Sequence, residues 1–371
     1  MPGSARKRIV LVGGGHAHLF TLARLPELIR QGASITLVTD NRYQTYSGMA
    51  PGILSGSNLP EELRFDLPAL AQQGGGACVV ERAVSLEPKR RLLFLASGPP
   101  LPYDLISFNI GSTLSVPESP LPDTVTPVKP FANLLLFQER VKNLLAKGIP
   151  RLVIIGGGAA GVELAGNLER LVRHEGGRGY VTVVTGGRIL ERFPHGAGEL
   201  ARQSLEARNI QVMEGRRVVR AVDGGALLDN GELLPFQEAL LATGIAPPPL
   251  FRSSALPVAE DGSLLVTDTL QCGEYPEILG GGDCISLTGR RLERVGLHAV
   301  REAPVIYANL TALLTGKRLI RFTPQSRYLQ LLNLGDGTAL FIRGNMVYRG
   351  KSALFLKEYL DSSFMRRYQS G

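Results

Sequence analysis

The sequence predicts an α/β fold in which two strand–turn–helix–strand units each start a parallel sheet. The first unit begins with the apolar run "RIVLV", passes through a glycine turn into a helical pattern, and reaches a second strand, "ASITLV". The second unit repeats this order from "RLVII" to "YVTVV", far down the chain. Strands that alternate with helices pair in parallel, because each helix returns the chain to the same end of the sheet.

The size and composition of the chain fit this fold class. The 371 residues favour two or three domains, and 44% hydrophobic with 20% charged residues is typical of a globular protein. The net charge of +8 favours anionic partners such as nucleotide phosphates or an anionic membrane surface. We expect no nucleic-acid partner, because no basic stripe is interleaved with aromatic residues.

Cysteine usage and hydropathy favour a reducing, cytoplasmic location. Cys78, Cys272 and Cys284 are too few and too scattered for a disulfide framework, and no C-x-x-C motif occurs. The basic start "MPGSARKRIVLVGGG" lacks the apolar segment of a secretory signal. The most apolar window, "LVIIGGGAAGV", is short and glycine-rich, so it predicts a strand and a turn rather than a membrane span.

The glycine turn of the second unit fills a dinucleotide-binding fingerprint. Gly156, Gly158 and Gly161 occupy the glycine positions of G-x-G-x-x-G, directly after a buried strand and before an amphipathic helix. In this motif the first glycine makes the turn, the second lets the backbone approach a pyrophosphate, and the third allows the helix to pack on the strand. The next strand ends in Thr185, without a ribose-binding acid. Arg188 therefore either pairs a 2′-phosphate or is an ordinary surface residue.

The glycine turn of the first unit departs from the fingerprint. Gly13 and Gly15 fill the first two glycine positions, but His18 stands at the third. We expect a dinucleotide turn in which His16 or His18 donates to a phosphate. A metal site on this H-x-H pair would lack a third ligand, so we expect none. The second strand of the unit is followed by Asp40, one residue later than the usual ribose-binding acid.

Two later segments indicate how the units are connected. "LLPFQEALLATGIAPPPLF" predicts a strand followed by a proline-rich domain junction, and "PEILGGGDCISL" predicts a strand that ends beside Asp283. An acid at that place can accept hydrogen bonds from a polyol chain. One nucleotide turn opens the chain, another lies in the middle, and the acid follows both. We therefore expect one dinucleotide domain inserted into the other, with electrons passing between two cofactors.

The segments "GGGHAH", "GGGAAGVELA", "ATG" and the late "GD" resemble the flavoprotein superfamily with two dinucleotide domains. That superfamily includes type II NADH dehydrogenases, sulfide:quinone reductases and pyridine nucleotide-disulfide oxidoreductases. "YSGMAPG", "YDLISFNIGST", "HAVREAPV" and "LKEYLDSSFMRRY" are similar to the flavoprotein module associated with selenophosphate synthetase (selenide, water dikinase). The resemblance covers essentially the whole chain. It implies FAD at the first turn and NAD(P)H, as co-substrate, at the second.

The turns and the resemblance together predict the binding residues. Those expected around FAD are Gly13, Gly15, His16, Ala17, His18, Asp40, Tyr46, Pro51, Val84, Gly111 and Asp283. Those expected around the nicotinamide nucleotide are Gly156, Gly158, Gly161, Glu163, Arg188 and Gly244. No catalytic residue is assigned, because in such proteins the flavin supplies the redox chemistry.

The predicted function is hydride transfer from NAD(P)H to FAD, followed by electron transfer to an unidentified small-molecule acceptor. We expect an FAD-binding domain from residues 1–112 and 250–318, an NAD(P)-binding domain from 113–249, and a C-terminal segment from 319–371. Two alternatives stay open: a quinone reductase at the membrane surface, and a non-catalytic FAD-binding protein with a regulatory or selenium-associated role. No cysteine pair accompanies "YSGMAPGIL", which argues against a disulfide mechanism.

The tail "KSALFLKEYLDSSFMRRYQSG" predicts a helix starting near Ser352. Ala353, Leu356, Leu360 and Phe364 would form its apolar stripe. Beside the stripe lie the basic residues Lys357, Arg366 and Arg367. This composition suits a membrane-surface helix, but attraction of about 1 kcal/mol per basic residue would be weak. We expect the stripe to dock on the flavin domain or on the partner of a homodimer, with at most weak peripheral membrane contact.

Overall fold

Two five-stranded parallel sheets form the centre of the protein. The computed structural model describes residues 6–114, 120–290 and 292–369. The elements up to the second sheet are β1 (Lys7–Val12), α1 (His16–Leu22), α2 (Leu25–Arg30), β2 (Ala33–Thr39), β3 (Tyr43–Thr45), α3 (Pro51–Leu54), β4 (Arg64–Asp66), α4 (Leu67–Gln73), β5 (Ala77–Val80), β6 (Ala83–Glu87), β7 (Leu92–Leu95), β8 (Leu101–Pro102), β9 (Leu105–Phe108) and β10 (Thr113–Leu114).

The middle of the chain builds the second sheet and a small antiparallel sheet beside it. Its elements are β11 (Val125–Pro127), α5 (Asn133–Leu145), β12 (Arg151–Ile155), α6 (Ala159–His174), β13 (Tyr180–Val184), α7 (His195–Glu206), β14 (Gln211–Met213), β15 (Val218–Val222), β16 (Gly225–Leu228), β17 (Leu233–Pro235), β18 (Glu238–Leu241) and β19 (Ile245–Ala246). The remaining elements are α8 (Leu250–Ser253), β20 (Leu264–Val266), β21 (Ile278–Gly280), β22 (Ile285–Leu287), α9 (Gly296–Thr315), β23 (Leu329–Asn333), β24 (Ala339–Arg343), β25 (Met346–Gly350) and α10 (Lys351–Gln369).

Two distant segments of the chain contribute to the first sheet. Its strand order is β21-β9-β1-β2-β5, and β21 pairs in parallel with β9 so that Ile278 lies opposite Ile106. β1 lies in the middle, with Lys7 opposite Ala33 of β2 and Ile9 opposite Leu105 of β9. Helix α9 packs along α1 on one face of this sheet. The turn between β1 and α1 therefore lies at the carboxyl edge of a central strand, where open parallel sheets bind ligands.

The second sheet is formed by residues 125–241 without any other segment. Its strand order is β11-β18-β12-β13-β14, and every neighbouring pair is parallel. β10 pairs with β19 where the chain leaves and re-enters the first part of the structure. The packing crosses the predicted boundary, because Ala50, Ile53, Leu54 and Leu63 belong to the core of the second sheet.

The C-terminal segment touches both halves of the molecule. The antiparallel sheet β23–β25 adds Leu332, Leu334, Leu340 and Ile342 to the second core. Helix α10 adds Met365 and Tyr368 to the first core. These contacts place β23–β25 and α10 across the junction of the two sheets.

The predicted apolar stripe on α10 is only partly correct in its register, since Ala353 is buried and Phe364 packs against the first core, whereas Leu360 is exposed. The buried face is Ala353, Lys357, Asp361, Met365 and Tyr368, so two charged residues face inward. Leu360 is 43% exposed, and Phe355 and Tyr359 are 72% and 58% exposed. Hydrophobic spacing alone missed this arrangement, because Lys357 and Asp361 satisfy each other inside the protein. Among the described residues, none of the helices is long and apolar enough to cross a membrane.

Candidate functional site

The first glycine turn is packed against the end of β9. Gly13 has a φ of +86°, and a Cβ there would lie 2.4 Å from the Asn109 carbonyl oxygen. A Cβ at Gly15 would lie 2.3 Å from the Asn109 side-chain oxygen Oδ1. Asn109 Oδ1 accepts a hydrogen bond from Ala17 N at 2.9 Å, and Asn109 Nδ2 donates to Gly281 O at 2.6 Å. The turn therefore excludes side chains, and Asn109 ties it to the segment before Asp283.

The expectation that His18 donates to a phosphate is wrong, because both of its ring nitrogens have protein partners. Nδ1 lies 2.7 Å from Gly13 O and Nε2 lies 2.8 Å from Ser107 Oγ. The carbonyl can only accept, so Nδ1 carries the proton and Nε2 accepts from the Ser107 hydroxyl. Burial lowers the pKa of His18 to about 4, which keeps the ring neutral at pH 7. His18 is thus part of the packing beneath the turn.

His16 has the unsatisfied polar atom that His18 lacks. Its Nε2 is buried without a hydrogen-bond partner among the described residues. The ring meets Tyr46 and Phe364 edge-on, at centroid distances of 5.4 and 5.5 Å. Burial lowers the pKa of His16 to about 4, against the opposing effect of the Asp283 carboxylate. A buried nitrogen without a partner points to a ligand or water at this place, and the contact of His16 with FAD stays a prediction.

Asp283 ends a chain of hydrogen bonds that crosses between the two sheets. Its Oδ2 accepts from Ser112 Oγ at 2.8 Å, and the Ser112 oxygen accepts from Lys129 Nζ at 2.7 Å. The Asp283 carbonyl accepts from Arg294 Nε at 2.9 Å. Burial lowers the pKa of Lys129, and Asp283 opposes that effect. The carboxylate is thus held in one orientation beside the first turn.

Two helix N-termini open towards the same region. Gly15 and Val295 are the N-cap residues of α1 and α9, and neither end is capped by a side chain. The first residue of α9, Gly296, lies beside His16, since a Cβ there would be 3.8 Å from His16 Nδ1. His298, one turn into α9, has a buried Nδ1 without a partner among the described residues. Uncapped N–H groups attract negative charge, so the glycine turn, the orphaned imidazoles and Asp283 together fit FAD.

The second glycine turn follows the fingerprint closely. Gly156 has a φ of +127°, and a Cβ there would lie 2.3 Å from Ala242 O. A Cβ at Gly161 would lie 1.8 Å from Gly156 O, so α6 lies directly on the turn. A Cβ at Gly158 would meet no atom within 4 Å, and no side chain caps α6 there. This open, uncapped helix start fits a pyrophosphate group.

Three arginines surround the end of β13, where the ribose-binding acid is missing. Arg188 is exposed three residues after Thr185, and Arg216 N donates to Thr185 O at 3.0 Å. Arg217 lies over Gly186, with its Nε 3.3 Å from a Cβ built there. No local pattern in the sequence indicates Arg216 and Arg217, because they follow β14 and reach this place from a distant segment.

The two carboxylates near these arginines, Glu214 and Glu191, have different hydrogen-bond and ion-pair partners. Glu214 pairs with Arg202 and accepts from Ile189 N at 2.7 Å, and these hydrogen bonds outweigh burial and hold its pKa below the usual range. Glu191 lies over Gly187. Among the described residues, the ion-pair partner of Glu214 is therefore Arg202 and not Arg188 or Arg217.

A buried ion pair connects α10 to the "YSGMAPG" loop. Lys357 Nζ donates to Asp361 Oδ2 at 2.9 Å and to Gly48 O at 2.6 Å. Tyr46 OH donates to Asp361 Oδ1 at 2.9 Å, and the Tyr46 ring stacks on Phe364 at 4.8 Å. Burial lowers the pKa of Lys357, but Glu163 and Asp361 outweigh burial and raise it. The loop predicted to border the flavin is thus fixed by charged side chains.

Glu163 lies between the second turn and the C-terminal sheet. Its Oε1 accepts from Asn333 N at 2.7 Å, and burial raises its pKa to about 7. Its neighbour one turn along α6, Asn167, accepts from Ser55 Oγ at 2.8 Å, which joins α6 to the segment after α3. The predicted contact of Glu163 with the nicotinamide nucleotide stays a prediction.

Five other predicted residues lie at the edges of this region. Asp40 is exposed directly after β2, Pro51 begins the buried α3, and Gly111 has a φ of +67°. The Val84 carbonyl accepts from Ser253 Oγ at 3.4 Å, a long bond that leaves it available for another donor. Gly244 has open space around it. Their contacts with cofactors stay predictions.

Two other kinds of site, a reactive thiol and a metal site, would use the described cysteines and histidines. Cys284 is buried beside Asp283, its Sγ donates to Gly281 O at 3.3 Å, and burial raises its pKa to about 12. In the part of the chain that the structure describes, no group of three or more His, Cys, Asp and Glu is arranged to hold a metal ion.

Sequence reasoning missed the residues that orient this region, namely Asn109, Ser112 and Lys129. Asn109 had a local signal, because a polar residue directly after the buried strand "LISF" is placed at the carboxyl edge of the sheet. Lys129 had none, since its partners are 17 and 154 residues away in the chain.

Comparisons with known proteins agree with this geometry. The family model described as "Pyridine nucleotide-disulphide oxidoreductase" matches residues 7–303. A demethylphylloquinone reductase from Synechocystis is 24% identical over 373 residues, which cover 95% of this chain and 91% of that protein. An NADH dehydrogenase-like protein from Bacillus subtilis is 22% identical over 294 residues, which cover 76% of this chain and 77% of that protein.

Solved structures show the same fold at low sequence identity. NDH2 from Plasmodium falciparum, in complex with NADH, superposes with a TM-score of 0.84 at 13% identity, covering 98% of this chain and 97% of that one. The sulfide:quinone oxidoreductase from Aquifex aeolicus also has a TM-score of 0.84, at 19% identity, covering 98% of this chain and 92% of that one. The predicted α/β fold with two Rossmann-like units is confirmed.

Proposed function

Because this chain belongs to the pyridine nucleotide-disulphide oxidoreductase family and is an FAD-dependent NAD(P)H oxidoreductase, we propose that its electron acceptor is a quinone. The predicted cofactor pair, FAD with NAD(P)H as co-substrate, is confirmed by the family, and so is hydride transfer from NAD(P)H to FAD and onward to an acceptor.

We assign FAD to the first turn. Its pyrophosphate would lie on the uncapped start of α1, and its ribityl chain beside Asp283. When bound, FAD takes a hydride from the nicotinamide and passes the electrons on. The other FAD contacts in this proposal are Gly13, Gly15, His16, Ala17, Asp40, Tyr46, Pro51, Val84 and Gly111. His18 acts through the turn that it supports, and the domain division given above is kept as part of the proposal.

The protein's own residues exclude water and fix the loops. The ion pair of Lys357 and Asp361 holds Tyr46 and Gly48 under α10. Taking charged groups out of water is unfavourable unless they satisfy each other, so this pairing keeps α10 closed on the loop. Gly158, at the open start of α6, and Glu163, one turn further along the helix, would hold the nicotinamide nucleotide from the second turn.

The observation that carries the quinone assignment is the outward face of α10. Phe355 and Tyr359 are exposed on the side opposite the buried ion pair, and Leu360 is exposed at the flank of that face. An isoprenoid quinone is dissolved in the bilayer, and aromatic side chains with basic neighbours suit the membrane interface. The quinone-related activities named for relatives, among them the Synechocystis reductase, give further support. We propose peripheral, cytoplasmic contact with an anionic membrane through this face.

The test separates the membrane face from the redox centre. The variant Phe355→Ser with Tyr359→Ser is compared with Leu136→Ser, an exposed leucine (61%) on α5. We expect the double variant to lose co-sedimentation with anionic liposomes and most of its rate with a membrane-dissolved quinone, while keeping its rate with a soluble dye. Leu136→Ser keeps all three. Equal quinone rates in both variants, or no liposome binding by the wild type at low salt, would favour a soluble acceptor and a docking face for a second copy.

A second proposal concerns the coenzyme. Thr185 stands where a ribose-binding acid would favour NADH, and Arg188, Arg216 and Arg217 lie around it. Arginine pairs well with phosphate groups. We therefore propose that NADH is not strongly preferred over NADPH, which steady-state kinetics with both coenzymes tests directly.

A further inference from the structure

The backbone of Lys129 lies beside the second sheet, and its side-chain ammonium contacts Ser112 in the part of the molecule that contains the first sheet. Its backbone follows β11 at the edge of the second sheet, where Val128 N donates to Leu241 O at 3.0 Å and Asn133 Nδ2 donates to Lys129 O at 3.4 Å. Its ammonium donates to Ser112 Oγ at 2.7 Å and to Ser112 O at 3.3 Å. Ser112 lies just before β10, in the half that carries the first turn. The side chain thus crosses the junction where flavin and nicotinamide would meet.

The Lys129 ammonium is partly buried, and Asp283 is the charged group that acts on it. Burial lowers the pKa of Lys129, and Asp283, which Ser112 Oγ contacts, is the group that opposes this. His16, the other titratable neighbour, has a pKa lowered to about 4 by burial and is neutral at pH 7. A desolvated ammonium is unfavourable without a negative partner. One carboxylate already held by Ser112 is limited compensation, and two of the three ammonium hydrogens serve Ser112 alone.

We propose that Lys129 supplies the positive charge that stabilises FAD in its reduced form. In hydride transfer the C–H bond of the dihydronicotinamide breaks, and NAD(P)H becomes NAD(P)⁺. FAD receives the proton and both electrons, so it gains one negative charge until a second proton arrives from solvent. A partly buried ammonium attracts that charge more strongly than a fully exposed one does, because the effective dielectric constant around it is lower. This inference rests on FAD at the first turn and is independent of the identity of the acceptor.

The competing explanation is that Lys129 only clamps the two halves together. The two roles differ in what they require. A clamp needs the hydrogen bonds to Ser112, whereas stabilisation of reduced FAD needs the charge. Ser112→Ala removes the hydroxyl but leaves the ammonium and the Ser112 carbonyl position, Lys129→Met removes the charge, and Lys129→Arg keeps the charge with a different shape.

The experiment measures the redox equilibrium of bound FAD, with no turnover involved. Each purified, FAD-loaded protein is reduced anaerobically in the presence of a reference dye, and the ratio of reduced to oxidised flavin is read from the absorbance spectrum. Lys147→Met serves as the matched control, because Lys147 is an exposed lysine in the same half of the molecule. FAD occupancy is measured for every variant beforehand, which separates failure of the FAD assignment from failure of this proposal.

At the wild-type midpoint we expect Lys129→Met to hold about tenfold less reduced flavin, equivalent to about 30 mV for a two-electron couple. Lys129→Arg and Ser112→Ala should stay within about threefold of the wild type, and Lys147→Met should equal it. An unchanged ratio in FAD-loaded Lys129→Met would overturn the proposal. If that variant releases FAD, Lys129→Gln replaces it. Release from both uncharged variants and from Ser112→Ala would instead establish the clamp.

Discussion

The two glycine turns have the same strand–turn–helix order but differ in what packs beneath them. In the second turn a Cβ at Gly161 would lie 1.8 Å from Gly156 O, so α6 rests directly on the turn. In the first turn His18 occupies the equivalent position, and its Nδ1 lies 2.7 Å from Gly13 O, the equivalent carbonyl. The imidazole extends further, to Ser107 on β9. The third fingerprint position therefore governs how the helix is spaced from the strand, and a hydrogen-bonded side chain can replace close contact.

The largest loss of affinity is expected at Gly161, where α6 lies closest to the glycine turn. Gly161→Ala forces α6 away from Gly156, and overpacking of this kind costs about 3 kcal/mol. We expect the affinity for NAD(P)H to fall about a hundredfold, or about 2.8 kcal/mol, in a coenzyme titration that follows flavin fluorescence. FAD content should not change.

Gly158→Ala is the matched control for this prediction. Its Cβ would meet no protein atom, so the free energy of unfolding should equal that of the wild type while coenzyme binding weakens. Wild-type affinity in Gly161→Ala would show that the two turns do not differ in the way described.

His18→Leu tests the other side of the comparison. The change leaves the Gly13 carbonyl and the Ser107 hydroxyl without partners, at about 1–3 kcal/mol for each buried group. We expect lower thermal stability and partial loss of FAD in size-exclusion chromatography. Ser107→Ala, which removes one partner, should lose less. A fully stable His18→Leu protein would mean that the imidazole is dispensable.

The same variant has a pH signature. His18 has a pKa of about 4 in the folded protein and an ordinary value of 6.5, so below pH 6.5 the unfolded chain binds a proton that the folded chain does not. The contribution of His18 is complete above pH 6.5 and is lost as the pH falls towards 4, by about 1.4 kcal/mol per pH unit. The stability difference between wild type and His18→Leu should therefore shrink over that range, while Glu163 and Glu302, whose burial raises their pKa values to about 7, act equally in both proteins.

A smaller effect, on coenzyme preference, is expected from the residues that follow β2 and β13, where a ribose-binding acid is usual. The first unit places Asp40 after its second strand, whereas the second unit places Thr185 and Arg188 there. Arg188→Ala should raise the KM for NADPH about three- to tenfold and leave the KM for NADH within about twofold. Arg178→Ala, an exposed arginine away from the turn, is the control. Equal changes for both coenzymes would remove the argument for a 2′-phosphate contact.

The smallest effect is expected at the cysteines. Cys284 is buried and its pKa is raised to about 12, so almost no thiolate is present at pH 7. Reduction of FAD by NAD(P)H in Cys284→Ser and in Cys284→Ala should proceed within about twofold of the wild-type rate in stopped-flow measurements. Loss of reduction in both variants, with FAD still bound, would require a thiol mechanism.

The sequence predicted what local pattern controls and missed what distant segments bring together. Strand–glycine–helix order located both turns, and the family match confirms the flavoprotein and its cofactors. The role of His18 was wrong, because nothing local reveals Ser107 as its partner. The register of α10 was only partly correct for a related reason, since Lys357 and Asp361 are buried as a pair that hydrophobic spacing cannot detect. Arg216, Arg217 and Lys129 reach their sites only through tertiary contacts.

The nested topology also sets the order in which the protein can be completed during synthesis. Residues 125–241 contain every strand of the second sheet, so that sheet can form as soon as they leave the ribosome. The first sheet is started earlier but finished later, because β21 and the helix α9 that covers α1 are translated more than 150 residues after β9. Until then Gly13, Asn109 and Asp283 are not together. The nascent chain can therefore complete the second sheet before the first, and β23–β25 with α10 are added last across both.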